Sequence, residues 1–301
     1  MAAVSTGRDI PDLRDPRGWR STKNAIMITL MWIAFVVVLI PLGFVLYTVI
    51  SKGAKAISWQ FLTSSTIPPN VLPLGIGGMG PAVIGTLEIT GFAALVSVPL
   101  GVLGAVYVQE YGGKGWLGSL ISFMADVMTG VPSIVMGLFI FTIWVIPLGT
   151  NGYSGLAGSI ALACLMLPVI IRSTIEMLKL VPDSLRQGSY ALGASKARVT
   201  LTVVLPAAIS GIVSGSLLAI ARAAGETAPL LFTILTVEAT NSNLFSGPDT
   251  ALSTQIFANA TSPYVGAEER AWGAALTLIA IAFILMIIAR LFTARFTRYS
   301  R

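Results

Sequence analysis

Six stretches of this sequence are apolar for longer than a soluble helix or strand requires, and they dictate what the chain can become. A bilayer-spanning helix needs about 20 predominantly apolar residues. Residues 25–50, 81–108, 116–147, 153–171, 207–236 and 271–292 each approach or exceed that length with few charges. Over 301 residues the chain is 55% hydrophobic and 11% charged, against about 25% charged in soluble proteins. In lipid every backbone polar group must be satisfied within the segment, which for apolar runs of this length means α-helix. The expected fold is therefore all-α and polytopic, with six transmembrane helices.

Residue usage removes several chemistries. The chain has no His, which excludes a Ser-His-Asp triad, His-ligated zinc and a His proton shuttle. Its one cysteine, Cys164, lies in an apolar run, so no internal disulfide can form and a thiolate cluster has no ligands. No GxxxxGK[ST] phosphate loop occurs, so ATP is not expected to bind here in that way. The net charge of +6 is read as a matter of membrane topology, and no nucleic-acid partner is expected.

The organisation follows from the spans. Residues 1–24 are a polar cytoplasmic tail, and 25–50 form a retained first helix in which Pro41 should introduce a kink. Residues 51–80 are an external loop with an interfacial segment at Trp59 and Phe61, a Pro-Pro pair at 68–69 and GIGGMG at 75–80. Residues 81–293 are the core, with five further spans and a basic loop at 172–205, and 294–301 are a cytoplasmic C-terminal tail. Within 116–147, Gly130 and Pro132 predict a kink or a short unwound turn. Residues 237–270 read as a polar, acidic external loop. Of the 19 Lys and Arg residues, fourteen then fall on the side of the two termini and three on the other, Lys52, Lys55 and Arg270. Positive residues gather inside, which places both termini in the cytoplasm.

The basic loop between the fourth and fifth spans carries its own signals. Pro182-Asp183-Ser184 opens a helix, with an acidic residue at the positive end of the dipole. Leu185, Tyr190, Ala191 and Leu192 make an apolar face, and Gly193 is a C-terminal stop. A second short helix from Ser195 should end at Pro206, where the fifth span begins. Two readings of this pattern stand open, a charged loop that only satisfies topology or a structured docking surface.

Charged residues also lie inside the spans. An arginine at mid-bilayer costs about 2.5–3.5 kcal/mol on insertion scales, so it needs a partner or a wet cavity. Arg222 and Glu226 are spaced to pair on one helix face. Either they satisfy each other as packing, or Arg222 offers its fork of donors to an oxyanion while Glu226 holds it and shortens the anion's dwell. Arg172 is a second anion contact or a residue reaching to the interface. Glu88 is expected near the outer end of the second span; Asp126 pairs with a basic group or caps the break at 130–132. Gly211 and Gly215, with Ser210 and Ser214, form a small-residue face for close helix packing.

Two resemblances go beyond this reading. The loop resembles the cytoplasmic E-A-A-x3-G-x9-I-x-L-P signature of binding-protein-dependent ABC importer permeases, with Gln187, Gly188 and Ser189 at the E-A-A positions. Gly193 stands at the glycine, and Val203, Leu205 and Pro206 at the I-x-L-P. The family glutamate is replaced by Gln187, which can hydrogen-bond but cannot form an ion pair. The resemblance implies a coupling helix seated in a cleft of a separate ATPase subunit. Further, ARAAGETAPLLFT at 221–233 and VPSIVMGLF at 131–139 are similar to the A-type permease subunits of bacterial phosphate-specific transporters. That implies type I importer architecture in the plasma membrane and a pseudo-twofold pairing with a homologous C-type permease. It also implies two copies of a phosphate ATPase that hold the ATP and magnesium, and an extracytoplasmic phosphate-binding protein. Arg222, Glu226 and Arg172 match family positions implicated in translocation of inorganic phosphate. On this reading the chain binds no cofactor and is not an enzyme. The rivals are a permease for sulfate or molybdate, and a stand-alone secondary transporter or channel.

Overall fold

The computed structural model describes residues 19–66, 77–112, 115–241 and 243–297. Most of the N-terminal tail, the Pro-Pro pair, the start of GIGGMG, Lys114, Arg298 and Arg301 lie outside the described residues. Among those described, six helices are long and apolar enough to cross a membrane. The chain divides into two units, residues 1–48 and 49–301.

The helix α1 (Trp19–Ala56) is unbroken, with Pro41 inside it. It extends beyond the expected end at residue 50, because Ser51 to Ala56 keep helical hydrogen bonding before the short α2 (Trp59–Thr63). In α2, Trp59 is exposed while Phe61 is buried with Met79, Ala82 and Ala274.

The second unit is built around two helices, α3 (Gly80–Val106) and α7 (Gly155–Lys179). Ile89 and Ala93 of α3 bury against Leu162, Met166 and Ile170 of α7. Between lipid-soluble helices there is little hydrophobic drive, so association depends on close van der Waals approach at small residues. That device is visible where α7 meets α10 (Leu205–Ala224). A side chain at Gly211 or Gly215 would collide with Met177 or Ser173. The small-residue face expected at 210–215 is thus a packing surface.

The third span is interrupted as the sequence suggests. It comprises α4 (Trp116–Gly130), a break at Val131 and Pro132, then α5 (Ser133–Ile140), a wide π turn at Phe141–Val145, the single turn α6 (Ile146–Leu148) and a 3-10 turn at Gly149–Gly152. Asp126 of α4 faces Arg172 near the end of α7, while Ile140 and Val145 pack on Ala157 and Ala161 near its start. The two halves therefore make one transit antiparallel to α7.

Other boundaries also differ from the sequence reading: α7 runs past 171 to Lys179 and α10 ends at Ala224, short of 236. The fifth span does not start at Pro206. Helix α8 (Asp183–Ala191) is followed by α9 (Lys196–Val199), which continues through a π turn at Thr200–Val204 directly into α10. The wider turn, closed by Leu205 N–H to Thr200 O, admits a proline that has no N–H to give. Nor is 237–270 simply an exposed loop. It contains α12 (Leu252–Ala260), preceded by α11 (Ala228–Thr233) and followed by α13 (Val265–Thr297). Thr254, Gln255 and Asn259 are buried. Asn259 Oδ1 accepts from Nε of Arg270 at 2.8 Å, and Gln255 donates to Val237 O and Thr250 Oγ1, both at 3.1 Å. Arg270, counted above among the external loop charges, is wholly buried inside α13.

Candidate functional site

The two interruptions in the helices face one cavity of about 170 Å³. Thr129, Val131, Pro132 and Ser133 line it from the α4–α5 break. Arg222 and Glu226 line it from the end of α10, and Met166 and Pro168 of α7 form its floor. Backbone that leaves the helical pattern at membrane depth is tolerated where it is buried in protein or borders a cavity. Both breaks meet that condition. They are held together because Gly137 of α5 lets the backbone of Pro229 in α11 come against it, 2.5 Å from where a Cβ would stand.

Arg222 sits in the last turn of α10, and Gly225 caps that helix. Glu226 therefore lies past the helix end rather than on a shared face with Arg222, since Gly225 and Glu226 donate to Arg222 O and Ala223 O in a closing turn. The two side chains still meet, Arg222 Nε to Glu226 Oε1 at 3.6 Å. Their environments differ sharply. The Glu226 side chain is 20% exposed and the Arg222 side chain 71%. The carboxylate is largely covered, and the guanidinium is mostly exposed. Ser253 of α12 donates to Glu226 O at 3.1 Å, tying the buried segment before α13 to this break.

Across the cavity, α5 begins at Ser133 with Pro132 as its cap and no side-chain capping bond. Its first turn carries the positive end of the helix dipole.

Arg172 does not line this cavity. It is ion-paired with Asp126, one helical turn from Thr129 on α4. Asp126 thus takes the first of the roles open to it, a partner for a basic group. Glu88 is partly buried near the connector that holds Asp249, and Glu88 Oε2 and Asp249 Oδ2 are buried without a hydrogen-bond partner.

The residues of the basic loop form a separate surface. Gln187, Gly188 and Ser189 lie within α8, none of whose residues is buried. Leu192 is 90% exposed, with Leu185 and Tyr190 also open. Gly193 ends the helix as expected, at φ +78°, donating to Tyr190 O at 2.9 Å while Ala194 donates to Ser189 O at 3.2 Å. Leu205 and Pro206 are not at that surface. They sit inside the fifth span, where Leu205 packs beside Val199, Val204 and Ala208.

Sequence reasoning missed Glu110 and Arg186. Arg186 Nη2 meets Glu110 Oε1 at 2.9 Å, with side chains 13% and 6% exposed. The available signal was one charge of each sign, Glu110 just beyond the apolar limit of the second span and Arg186 within the basic loop after the fourth.

Comparison with known proteins agrees with this architecture. Residues 97–298 match the family described as binding-protein-dependent transport system inner membrane component. The phosphate transport system permease protein PstA of Yersinia pestis is 40% identical over 282 residues, covering 94% of each chain. PstA 1 of Mycobacterium tuberculosis H37Rv is 41% identical over 286 residues, covering 94% of this chain and 91% of that one. Among solved structures, a chain of a bacterial alginate ABC transporter in complex with an alginate-bound periplasmic protein aligns with TM-score 0.64 at 14% identity, over 94% of this chain and 99% of its own. A chain of the inward-facing MetNI methionine ABC transporter aligns with TM-score 0.52 at 19% identity, over 74% and 97%. At those identities the likeness fixes the fold alone, that of the type I ABC importer permeases. With six apolar helices and an inner-membrane family, the chain is a multi-pass plasma-membrane protein and a transport subunit rather than an enzyme. It belongs to the binding-protein-dependent transport system inner membrane components, among the phosphate transport system permease proteins PstA.

Proposed function

We propose that this chain is a permease subunit of an ATP-driven importer of inorganic phosphate. The observation that carries the proposal is the charge pair at the shared cavity, where Glu226 is seated and Arg222 is open beside two helix breaks. A guanidinium presents paired donors matching two phosphate oxygens, and the uncapped start of α5 adds positive potential opposite it. Broken helices at membrane depth are a recurrent way to build a solute site. The relatives named for phosphate transport support the choice of solute.

In this reading Arg222, Glu226 and Arg172 serve the pathway. Arg172 is held by Asp126 until an anion competes for it. Gln187, Gly188, Ser189 and Gly193 on α8 dock a cytoplasmic ATPase, with Leu192 as the exposed apolar contact and Leu205 and Pro206 positioning the helix behind them. ATP and magnesium reside on that ATPase pair, and this chain holds no cofactor. A homologous C-type permease completes the pathway, an extracytoplasmic phosphate-binding protein delivers the solute, and both termini face the cytoplasm.

The test is phosphate uptake by the assembled transporter in proteoliposomes. Arg222→Gln and Arg222→Lys are expected to lower uptake about tenfold or more, the worth of a charged hydrogen bond, with the complex still intact. Wild-type uptake by Arg222→Gln removes the proposal. Competition by sulfate or molybdate as strong as by phosphate reassigns the solute.

A further inference from the structure

The exposed helix α8 is fastened to the body of the chain at a place its sequence does not advertise. Arg186, on the side of α8 facing the membrane domain, makes four hydrogen bonds. Nη2 donates to Glu110 Oε1 and to Leu178 O, both at 2.9 Å. Nη1 donates to Val181 O at 2.6 Å and to Asp183 Oδ1 at 3.1 Å. One planar guanidinium therefore ties together the last turn of α7, the connector after it, the first turn of α8 and Glu110. Glu110 lies in the π turn Tyr107–Gly112 that closes the second span. Beyond the Gly193 turn, the Lys196 ammonium lies over the Tyr111 ring at 5.2 Å from its centre. Both flanks of α8 are thus attached to the same π turn.

Chain connectivity alone would pass a displacement of α8 to the fourth and fifth spans only. The second span is continuous with neither, so it follows α8 only through contacts. A multiply bonded, mostly buried guanidinium–carboxylate pair is a stiff contact, since the fork fixes direction as well as distance. We infer that the Arg186–Glu110 pair is a positioning link that makes the cytoplasmic end of the second span move with the coupling helix, so that the stroke of an ATPase reaches three spans rather than two. This rests on the reading of α8 as the docking helix.

The test uses the complete transporter, this chain with its partner permease, ATPase pair and binding protein, in proteoliposomes. Glu110→Gln, Arg186→Lys and the exchange Glu110→Arg with Arg186→Glu are compared with wild type for co-purification of the ATPase, ATP hydrolysis and phosphate uptake. Glu110→Gln and Arg186→Lys are expected to keep the ATPase bound and hydrolysing, and to lower phosphate moved per ATP by about fivefold or more, the lower end of typical coupling between sites. The exchange is expected to recover part of the ratio. Independently of any solute, spin labels at Ser184→Cys on α8 and Leu103→Cys on α3, in a Cys164→Ala background, are expected to keep one separation with and without ATP. In Glu110→Gln that separation should change with nucleotide. An unchanged ratio in Glu110→Gln, a wild-type label distance that shifts with nucleotide, or loss of uptake only in step with loss of assembly overturns the link. If the ATPase does not accompany the wild-type chain, the docking reading itself fails; if hydrolysis is coupled but phosphate is not the solute, the label distances still decide the link.

Discussion

Arg222 and Glu226 stand four positions apart yet belong to different pieces of structure, the final turn of α10 and the segment that follows its cap. Because Gly225 turns the chain, the carboxylate is largely covered while the guanidinium is not, and in the function proposed above one anchors while the other presents. On the function proposed above, Glu226→Gln removes the charge that opposes a bound anion. Expected in proteoliposomes are tighter apparent phosphate binding and a maximal rate lower by about tenfold, on the scale of one charged contact. Unchanged binding and rate would assign Glu226 to packing. Asp249 shows the opposite situation. It is 1% exposed, its Oδ1 accepts from Thr250 N–H at 2.7 Å, and its Oδ2 has no partner. Burial pushes its carboxyl above the ordinary range, the Thr250 bond partly offsets this, and the charge of Glu88 adds to it. The folded chain then keeps a proton that the unfolded chain releases, so this group's contribution to stability is whole at low pH and declines as pH rises through the raised value. Asp249→Asn is expected to raise the thermal midpoint in detergent more at about pH 8 than at about pH 4, where the ordinary carboxyl is half protonated. Equal shifts at both would rule out this account.

At the scale of elements, Gly193 is the clearest device. Its φ of +78° is where a side chain is strained, by about 1–2 kcal/mol for an L-residue. Gly193→Val is expected to unseat the α8–α9 turn and weaken retention of the ATPase on co-purification; full retention would show the turn tolerates distortion. This glycine was legible because helix stops follow a local backbone rule. So were the apolar spans and the interruption at Gly130–Pro132. The end of α10 was not legible, because Arg222 and Glu226 at helical spacing look identical whether the helix continues or stops. Helix α12 was hidden for another reason. Its polar Gln255 and Asn259 read as solvent-facing, and only the structure shows them bonded to Arg270, Val237 and Thr250 in a buried network. The run of helix through Pro206 was missed because proline normally marks a boundary, and the π turn that absorbs it has no sequence rule.

At the scale of the molecule, close approach at small residues adds to the buried apolar clusters that hold the second unit. Where α10 crosses α7, Gly215 faces Ser173. Gly215→Leu is expected to destabilise the chain by about 1–3 kcal/mol, the usual cost of overfilling a packed contact, seen as a lower thermal midpoint in detergent. No change would mean the helices are free to part there. With 71% of the Arg222 side chain uncovered, on the function proposed above this polypeptide supplies one jamb of a doorway and a homologous permease the other. Surplus copies made without that counterpart should be silent in the bilayer, passing no anion in vesicle flux assays. On that reading a cell can mistime the synthesis of the two halves without leaking its ion gradients.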